Sequence, residues 1–216
     1  MRTNDLKIGE TSMPRFEFRT FGSDFEEVAQ LMSHLSAPVP QKFQKRTSKE
    51  IYIVSRSNDI NNIKIRDGKI DIKNLIQVFD DLEQWAPILK EDFPMKVETL
   101  ETEIFPLLQV ETPKLEKDNL ELDAFLSIIK NLPGLQAVNV EKERYGYMVN
   151  NTICEFAHVW INGKLIYSVS SESTVREDVR KTIKDLEIEN LENINYLKAV
   201  KHVIGMKNKP IANNKL

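Results

Sequence analysis

The chain has 216 residues, of which 41% are hydrophobic and 29% charged, and its formal net charge is −3. This balance is typical of a globular protein with a substantial core, and the slight negative charge argues against general binding to nucleic acid or anionic membranes. The single cysteine, Cys154, excludes an intramolecular disulfide and a cysteine-cage metal site, and three separated histidines argue against a histidine-rich zinc site.

The N-terminus lacks the apolar core of a signal peptide, and no apolar run approaches the ~20 residues of a membrane-spanning helix. We therefore expect a cytoplasmic protein that does not enter a membrane. No internal repeat or low-complexity linker divides the sequence, so residues 1–216 are predicted to form one domain. Within it, residues 1–13 are expected to be a loose leader and residues 207–216 a flexible tail.

In the first half of the chain, short strands alternate with helical segments. The predicted elements are a strand at 15–21, a helix from Ser23-Asp24 to about 36, a strand at 50–55, a hairpin at 62–73 and a helix at 74–90.

The hairpin has one aliphatic face and one face that is mostly cationic. Ile63, Ile65, Ile70 and Ile72 alternate with Lys64, Arg66, Asp71 and Lys73. Asp67-Gly68 is a turn dipeptide between the two arms, and strand side chains alternate between the two faces of a sheet. The first strand repeats this pattern, because Arg15, Glu17 and Arg19 alternate with Phe16 and Phe18.

The second half of the chain is predicted to hold one more helix, three consecutive strands and two closing helices. Residues 97–105 are ambiguous, and the other elements are a helix at 119–131, strands at 136–149, 152–161 and 164–172, and helices at 174–187 and about 193–204. Because the strands join through hairpins, the sequence predicts an α+β fold, either an open antiparallel sheet or a barrel. Charged faces that recur in several strands favour an antiparallel β-barrel, or tunnel, with helices packed on the outside.

Two turns fix the register of the last three strands. Asn162-Gly163 as a two-residue turn pairs residue 155 with 170, and Asn150-Asn151 pairs 146 with 155. Both turns then predict one shared polar face, which carries Lys142, Arg144, Glu155, Ser168, Ser170 and Glu172.

Basic side chains that point into a barrel need anionic partners, which are either carboxylates or a ligand. Guanidinium groups bind phosphate oxygens bidentately, and carboxylates are ligands that Mg²⁺ or Mn²⁺ prefers. The alternative is that each charged face is an ordinary solvated surface, where ion pairs contribute only ~0–1 kcal/mol.

This layout of charged strands resembles the CYTH superfamily, the triphosphate tunnel metalloenzymes, over roughly residues 14–205. That superfamily includes class IV adenylyl cyclases, thiamine triphosphatases and inorganic triphosphatases. The resemblance implies an eight-stranded antiparallel barrel in which basic residues bind a triphosphate and carboxylates hold one or two divalent metals. Catalysis in such proteins is metal-assisted attack on a phosphoryl group.

Site residues follow from the resemblance by position. Those that resemble the phosphate-binding residues are Lys64, Arg66, Lys73, Lys142 and Arg144, and Arg19 is predicted to bind phosphate oxygens with them. Those that resemble the catalytic and metal-binding carboxylates are Glu17, Glu155 and Glu172. The sequence departs from the ExExK signature, because Arg15 replaces its first glutamate and Arg19 its lysine, and Ser168 and Ser170 replace a later glutamate pair.

Three hypotheses follow. The first is a phosphohydrolase dependent on Mg²⁺ or Mn²⁺ that acts on a triphosphate or another short polyphosphate, with hydrolysis or cyclisation left open. The second is a non-catalytic module that binds a small phosphorylated ligand and has a degenerate metal site. The third is a structural protein whose inward charges pair with one another.

Overall fold

The structure, a computed structural model, describes residues 13–206, and their long strands close into an antiparallel barrel. The predicted leader, apart from Met13, and the predicted tail lie outside the described residues. The strands are β1 (Arg15–Gly22), β2 (Lys45–Ser55), β3 (Asn61–Arg66), β4 (Lys69–Phe79), β5 (Leu82–Asp92), β6 (Met95–Lys96), β7 (Asn119–Leu120), β8 (Leu135–Val149), β9 (Thr152–Ile161) and β10 (Lys164–Ser173).

Around the barrel the strand order is β1-β10-β9-β8-β2-β3-β4-β5, and β5 pairs with β1 to close it. The helical segments are α1 (Glu26–Leu35), α2 (Gln41–Gln44), α3 (Val97–Thr99), a π-helical turn (Leu100–Ile104), α4 (Phe105–Leu108), α5 (Leu122–Asn131), α6 (Arg176–Asp185) and α7 (Tyr196–Val203). The predicted α+β barrel with external helices is confirmed. No helix within residues 13–206 has the length and apolar character needed to cross a bilayer.

Two-residue turns with positive φ at both positions join the hairpin strands. They are Asp67-Gly68, Asp80-Asp81, Asn150-Asn151 and Asn162-Gly163. This backbone conformation matches the twist of antiparallel strands and favours Gly, Asn and Asp. The predicted register is confirmed, because Glu155 pairs with Ser170 and with Gly146.

The predicted helix at 74–90 is wrong, because this segment forms the end of β4 and most of β5. Its apolar residues do not alternate strictly, since register shifts between Ile72 and Lys73 and between Leu75 and Gln77 interrupt the pairing with β5. Such irregularities break the period of two that identifies a strand from sequence.

Helices cover the aliphatic outer faces of the barrel. On the outside of the β3–β4 hairpin, Ile63, Ile65, Ile70 and Ile72 pack in one cluster with apolar residues of α4 and α5, including Phe105, Phe125 and Ile129. On the opposite wall, Phe18, Phe156 and Val169 pack with Met32 of α1 and Val179 and Ile183 of α6. The aliphatic sides are thereby buried, which leaves the charged sides facing inward.

Helix α7 fills one end of the barrel interior. The inward side of β9 changes from Glu155 to Ala157, Val159 and Ile161, and these apolar residues pack in one cluster with Leu197, Ala199 and Val200 of α7. Lys201 of α7 is buried and donates hydrogen bonds to the carbonyl oxygen of Asn58 (2.6 Å) and to Asp59 Oδ1 (2.8 Å). The polar part of the interior therefore lies toward the other end.

Candidate functional site

The polar end of the barrel holds a cavity of about 210 Å³. All nine residues predicted for the site contribute to its wall, namely Glu17, Arg19, Lys64, Arg66, Lys73, Lys142, Arg144, Glu155 and Glu172. They come from β1, β3, β4, β8, β9 and β10, so barrel closure brings together residues that lie far apart in the chain. The structure thus places them in one enclosed site, while their individual roles stay predictions.

The cavity wall carries more positive than negative charge. Eight basic residues face four carboxylates there, although the whole chain has a net charge of −3. The basic residues are Arg15, Arg19, Arg46, Lys64, Arg66, Lys73, Lys142 and Arg144, and the carboxylates are Glu17, Asp71, Glu155 and Glu172. The positive potential needed to attract an anion is therefore local to this cavity.

Each of the three carboxylates predicted to bind metal is paired with arginine. The closest contacts are Glu17 Oε1 to Arg19 Nε at 2.6 Å, Glu172 Oε1 to Arg15 NH1 at 2.8 Å, Glu155 Oε2 to Arg46 NH2 at 3.1 Å and Glu155 Oε1 to Arg19 NH1 at 3.5 Å. Burial by itself would raise the pKa of Glu17, but Arg19 and Lys73 beside it lower the pKa below its usual value. Glu17 is therefore ionised at neutral pH and bound to its neighbour.

This arrangement does not fit a carboxylate metal site. Within residues 13–206, no group of three or more histidine, cysteine, aspartate or glutamate side chains is placed to hold a metal ion. A divalent cation bound to Glu17 or Glu172 would also lie beside the guanidinium group that already occupies that carboxylate, and like charges repel strongly away from water.

A buried ion pair lies deeper in the interior, between Lys142 of β8 and Glu50 of β2. Lys142 Nζ lies 2.8 Å from Glu50 Oε2 and 2.8 Å from the Tyr52 hydroxyl oxygen, and 3.8 Å from the ring centre of Tyr196. The Glu50 side chain is fully buried, and Arg66 NH1 lies 3.5 Å from its Oε1. Burial lowers the pKa of Lys142 to about 7, although Glu50 opposes the shift.

Two buried donors in the cavity have no acceptor within the part of the chain that the structure describes. Arg46 Nε and Arg144 Nε are buried, and they have no hydrogen-bond partner among the described residues. Arg144 also takes part in none of the ion pairs found within residues 13–206. Buried donors are nearly always paired in native proteins, so these groups indicate that water or an anionic ligand supplies the acceptors.

Residues of β2 and α7 that lie in or beside the site were not predicted from the sequence. Strand β2 begins at Lys45, so Arg46, Glu50 and Tyr52 continue the inward alternation before and within the segment predicted at 50–55. That alternation could have identified them. Asn195 and Tyr196 also line the cavity, but they belong to α7, and no sequence signal shows that a C-terminal helix enters a barrel.

Searches with family models and with curated protein sequences found no match to this chain. Solved structures with a similar fold do exist, all at low sequence identity. A conserved hypothetical protein from Pyrococcus furiosus is 14% identical with a TM-score of 0.49, and the alignment covers 85% of this chain and 98% of that one. A candidate adenylate cyclase from Bacillus halodurans is 12% identical with a TM-score of 0.48, over 86% and 97% of the two chains. A Hippeastrum protein described as having a dominant triphosphatase activity is 14% identical with a TM-score of 0.48, over 92% and 99%.

Proposed function

We propose that the barrel binds a small ligand carrying a chain of phosphate groups, with the phosphates inside the cationic cavity. Two observations support this proposal. The cavity wall has an excess of basic residues, and the buried Nε–H groups of Arg46 and Arg144 have no acceptor among the described residues. Concentrated positive charge in an interior is costly unless anions compensate it. The wall's own carboxylates compensate only part of that charge.

A polyphosphate fits this site better than a single carboxylate or phosphate ion. The basic residues come from different strands around the barrel, so a ligand must offer several anionic groups to reach them together. Phosphate oxygens accept bidentate hydrogen bonds from guanidinium groups and single hydrogen bonds from lysine ammonium groups, and both types of donor are present.

A cytoplasmic location and the absence of membrane or general nucleic-acid partners remain predictions from the sequence.

Hydrolysis of the bound ligand, as by a triphosphatase dependent on Mg²⁺ or Mn²⁺, is the second candidate function. The observation that favours it is that Glu17, Glu155 and Glu172 share the cavity with the basic residues. A carboxylate beside a bound phosphate chain could orient an attacking water molecule. Because these carboxylates are paired with arginine, binding is better supported than turnover.

Isothermal titration calorimetry with tripolyphosphate, pyrophosphate, ATP and orthophosphate tests the proposed binding. We expect affinity to rise with the number of linked phosphates and to fall with added salt. Equal, weak affinity for all four would contradict the proposal and favour a structural role for the inward charges.

Phosphate release measured with and without Mg²⁺ or Mn²⁺ tests the second candidate function, which is hydrolysis. Glu17→Gln, which should abolish any turnover, is its control.

A further inference from the structure

We propose that the cavity binds its polyphosphate ligand without a divalent cation, because the guanidinium groups of Arg15, Arg19 and Arg46 already neutralise the carboxylates that would hold one. This inference rests on the proposed function, and it concerns what that site requires. Binding without a metal ion would differ from the metal-dependent binding that the sequence resemblance implies.

Arg19 is fixed in place by several contacts. Its Nε lies 2.6 Å from Glu17, its NH1 lies 3.2 Å from the Ser168 hydroxyl oxygen, and its guanidinium carbon lies 4.8 Å from the ring centre of Tyr196. The backbone N–H of Arg19 also donates to Asn193 Oδ1 at 2.9 Å. Only 11% of the Arg19 side chain is exposed, so it cannot swing into solvent to release Glu17.

The other two carboxylates are also held by arginine. Arg15 NH1 lies 2.8 Å from Glu172 Oε1, and Arg46 NH2 lies 3.1 Å from Glu155 Oε2. A metal ion at either carboxylate would have to compete with a charge-assisted hydrogen bond for the electron pairs of the carboxylate. It would also lie close to the positive guanidinium group that donates this bond. Both effects oppose metal binding at these positions.

The arginines can also take over what a metal ion does for a bound polyphosphate, which is to neutralise charge. Guanidinium groups stay protonated at every physiological pH, so they provide permanent positive charge. Arginine carries five donors, and the buried Nε of Arg46 has no acceptor among the described residues. Arg19 and Arg46 can therefore bridge the wall carboxylates and the phosphate oxygens.

The first test is calorimetric titration of the full chain with tripolyphosphate, once in EDTA and once in excess Mg²⁺. We expect the Kd in EDTA to be within about threefold of the value in Mg²⁺, or tighter, because Mg²⁺ bound to the free ligand reduces its charge. A Kd more than about tenfold weaker in EDTA would overturn the inference while leaving the proposed function intact. No binding in either buffer would overturn the proposed function and this inference with it.

The second test measures Mn²⁺ binding to the ligand-free protein by electron paramagnetic resonance. Wild-type protein should show no saturable Mn²⁺ site in the cavity, and Arg15→Gln/Arg19→Gln, which releases Glu172 and Glu17, should gain one. Arg176→Gln is the matched control, because Arg176 pairs with Glu177 at 2.7 Å on the exposed surface of α6. That variant should gain no Mn²⁺ site.

Arg15→Gln alone serves if the double variant fails to fold, since it releases Glu172 and leaves the contacts of Arg19 in place. We expect it to make tripolyphosphate affinity depend on Mg²⁺ by about tenfold. A saturable Mn²⁺ site in the wild-type protein that Glu17→Gln removes would overturn the inference.

Discussion

Replacement of Arg144 by glutamine should weaken tripolyphosphate binding by about 2–4 kcal/mol, which corresponds to a Kd roughly 30- to 700-fold higher. Arg144 lines the cavity, its Nε is buried without an acceptor, and it forms no ion pair within residues 13–206. This range follows if a ligand phosphate accepts one or two charge-assisted hydrogen bonds from this side chain at about 2 kcal/mol each, a value typical of hydrogen bonds to charged groups.

The fold should tolerate this change, so lost binding can be separated from lost structure. Burial is the largest cause of the lowered pKa values of Lys142 and Arg46, and charge repulsion from Arg144 lowers them further, so its removal relieves that repulsion. We therefore expect the thermal unfolding midpoint of Arg144→Gln to stay close to that of the wild type. The matched control is Arg56→Gln, which removes the same charge from an exposed residue that does not contribute to the cavity wall.

Calorimetric titration of wild type, Arg144→Gln and Arg56→Gln with tripolyphosphate gives the comparison directly. Arg56→Gln should bind like the wild type. If Arg144→Gln also keeps the wild-type Kd, Arg144 is not a ligand contact, and its buried Nε, which has no acceptor among the described residues, does not mark a phosphate site.

Three further predictions concern the interior of the barrel. Lys142→Met should lower the free energy of unfolding by about 3–5 kcal/mol in urea titrations at about pH 6, because Glu50 would keep a buried charge without its closest partner. The double variant Lys142→Met/Glu50→Gln should recover much of that loss. A larger loss in the double variant would contradict the pairing. Tripolyphosphate affinity should fall as pH rises through about 7, because burial lowers the pKa of Lys142 to about 7 and deprotonation removes a cation from the cavity. Lys142→Arg should flatten this pH dependence. If the wild type and Lys142→Arg show the same pH dependence, it comes from titration of the ligand and not of Lys142. Gly146→Ala should destabilise the fold by about 1–3 kcal/mol, because an added Cβ would lie 2.6 Å from the carbonyl oxygen of Phe43. An unchanged midpoint of urea unfolding would show that the backbone at the α2–β2 junction shifts away from the added methyl group without cost.

The inward-facing residues of β8, β9 and β10 follow from the sequence because strand alternation and turn chemistry are local properties. Asn150-Asn151 and Asn162-Gly163 each favour a turn of fixed length, so the pairing of Glu155 with Gly146 and Ser170 could be derived without coordinates. The same reasoning places Lys64 and Arg66 opposite the aliphatic face of β3. All nine predicted site residues therefore line the cavity.

The ion pairs of the site depend on contacts between strands that are distant in sequence, and alternation carries no information about these. Arg46 lies on β2 and Glu155 on β9, and they meet only because β8 pairs with both strands in the closed barrel. Entry of α7 into the barrel, the burial of Glu50 against Lys142 and the strand at 82–92 are also tertiary results. The sequence alone thus determined which side chains face inward, whereas the closed barrel decided which opposite charges meet and which buried N–H groups lack an acceptor among the described residues.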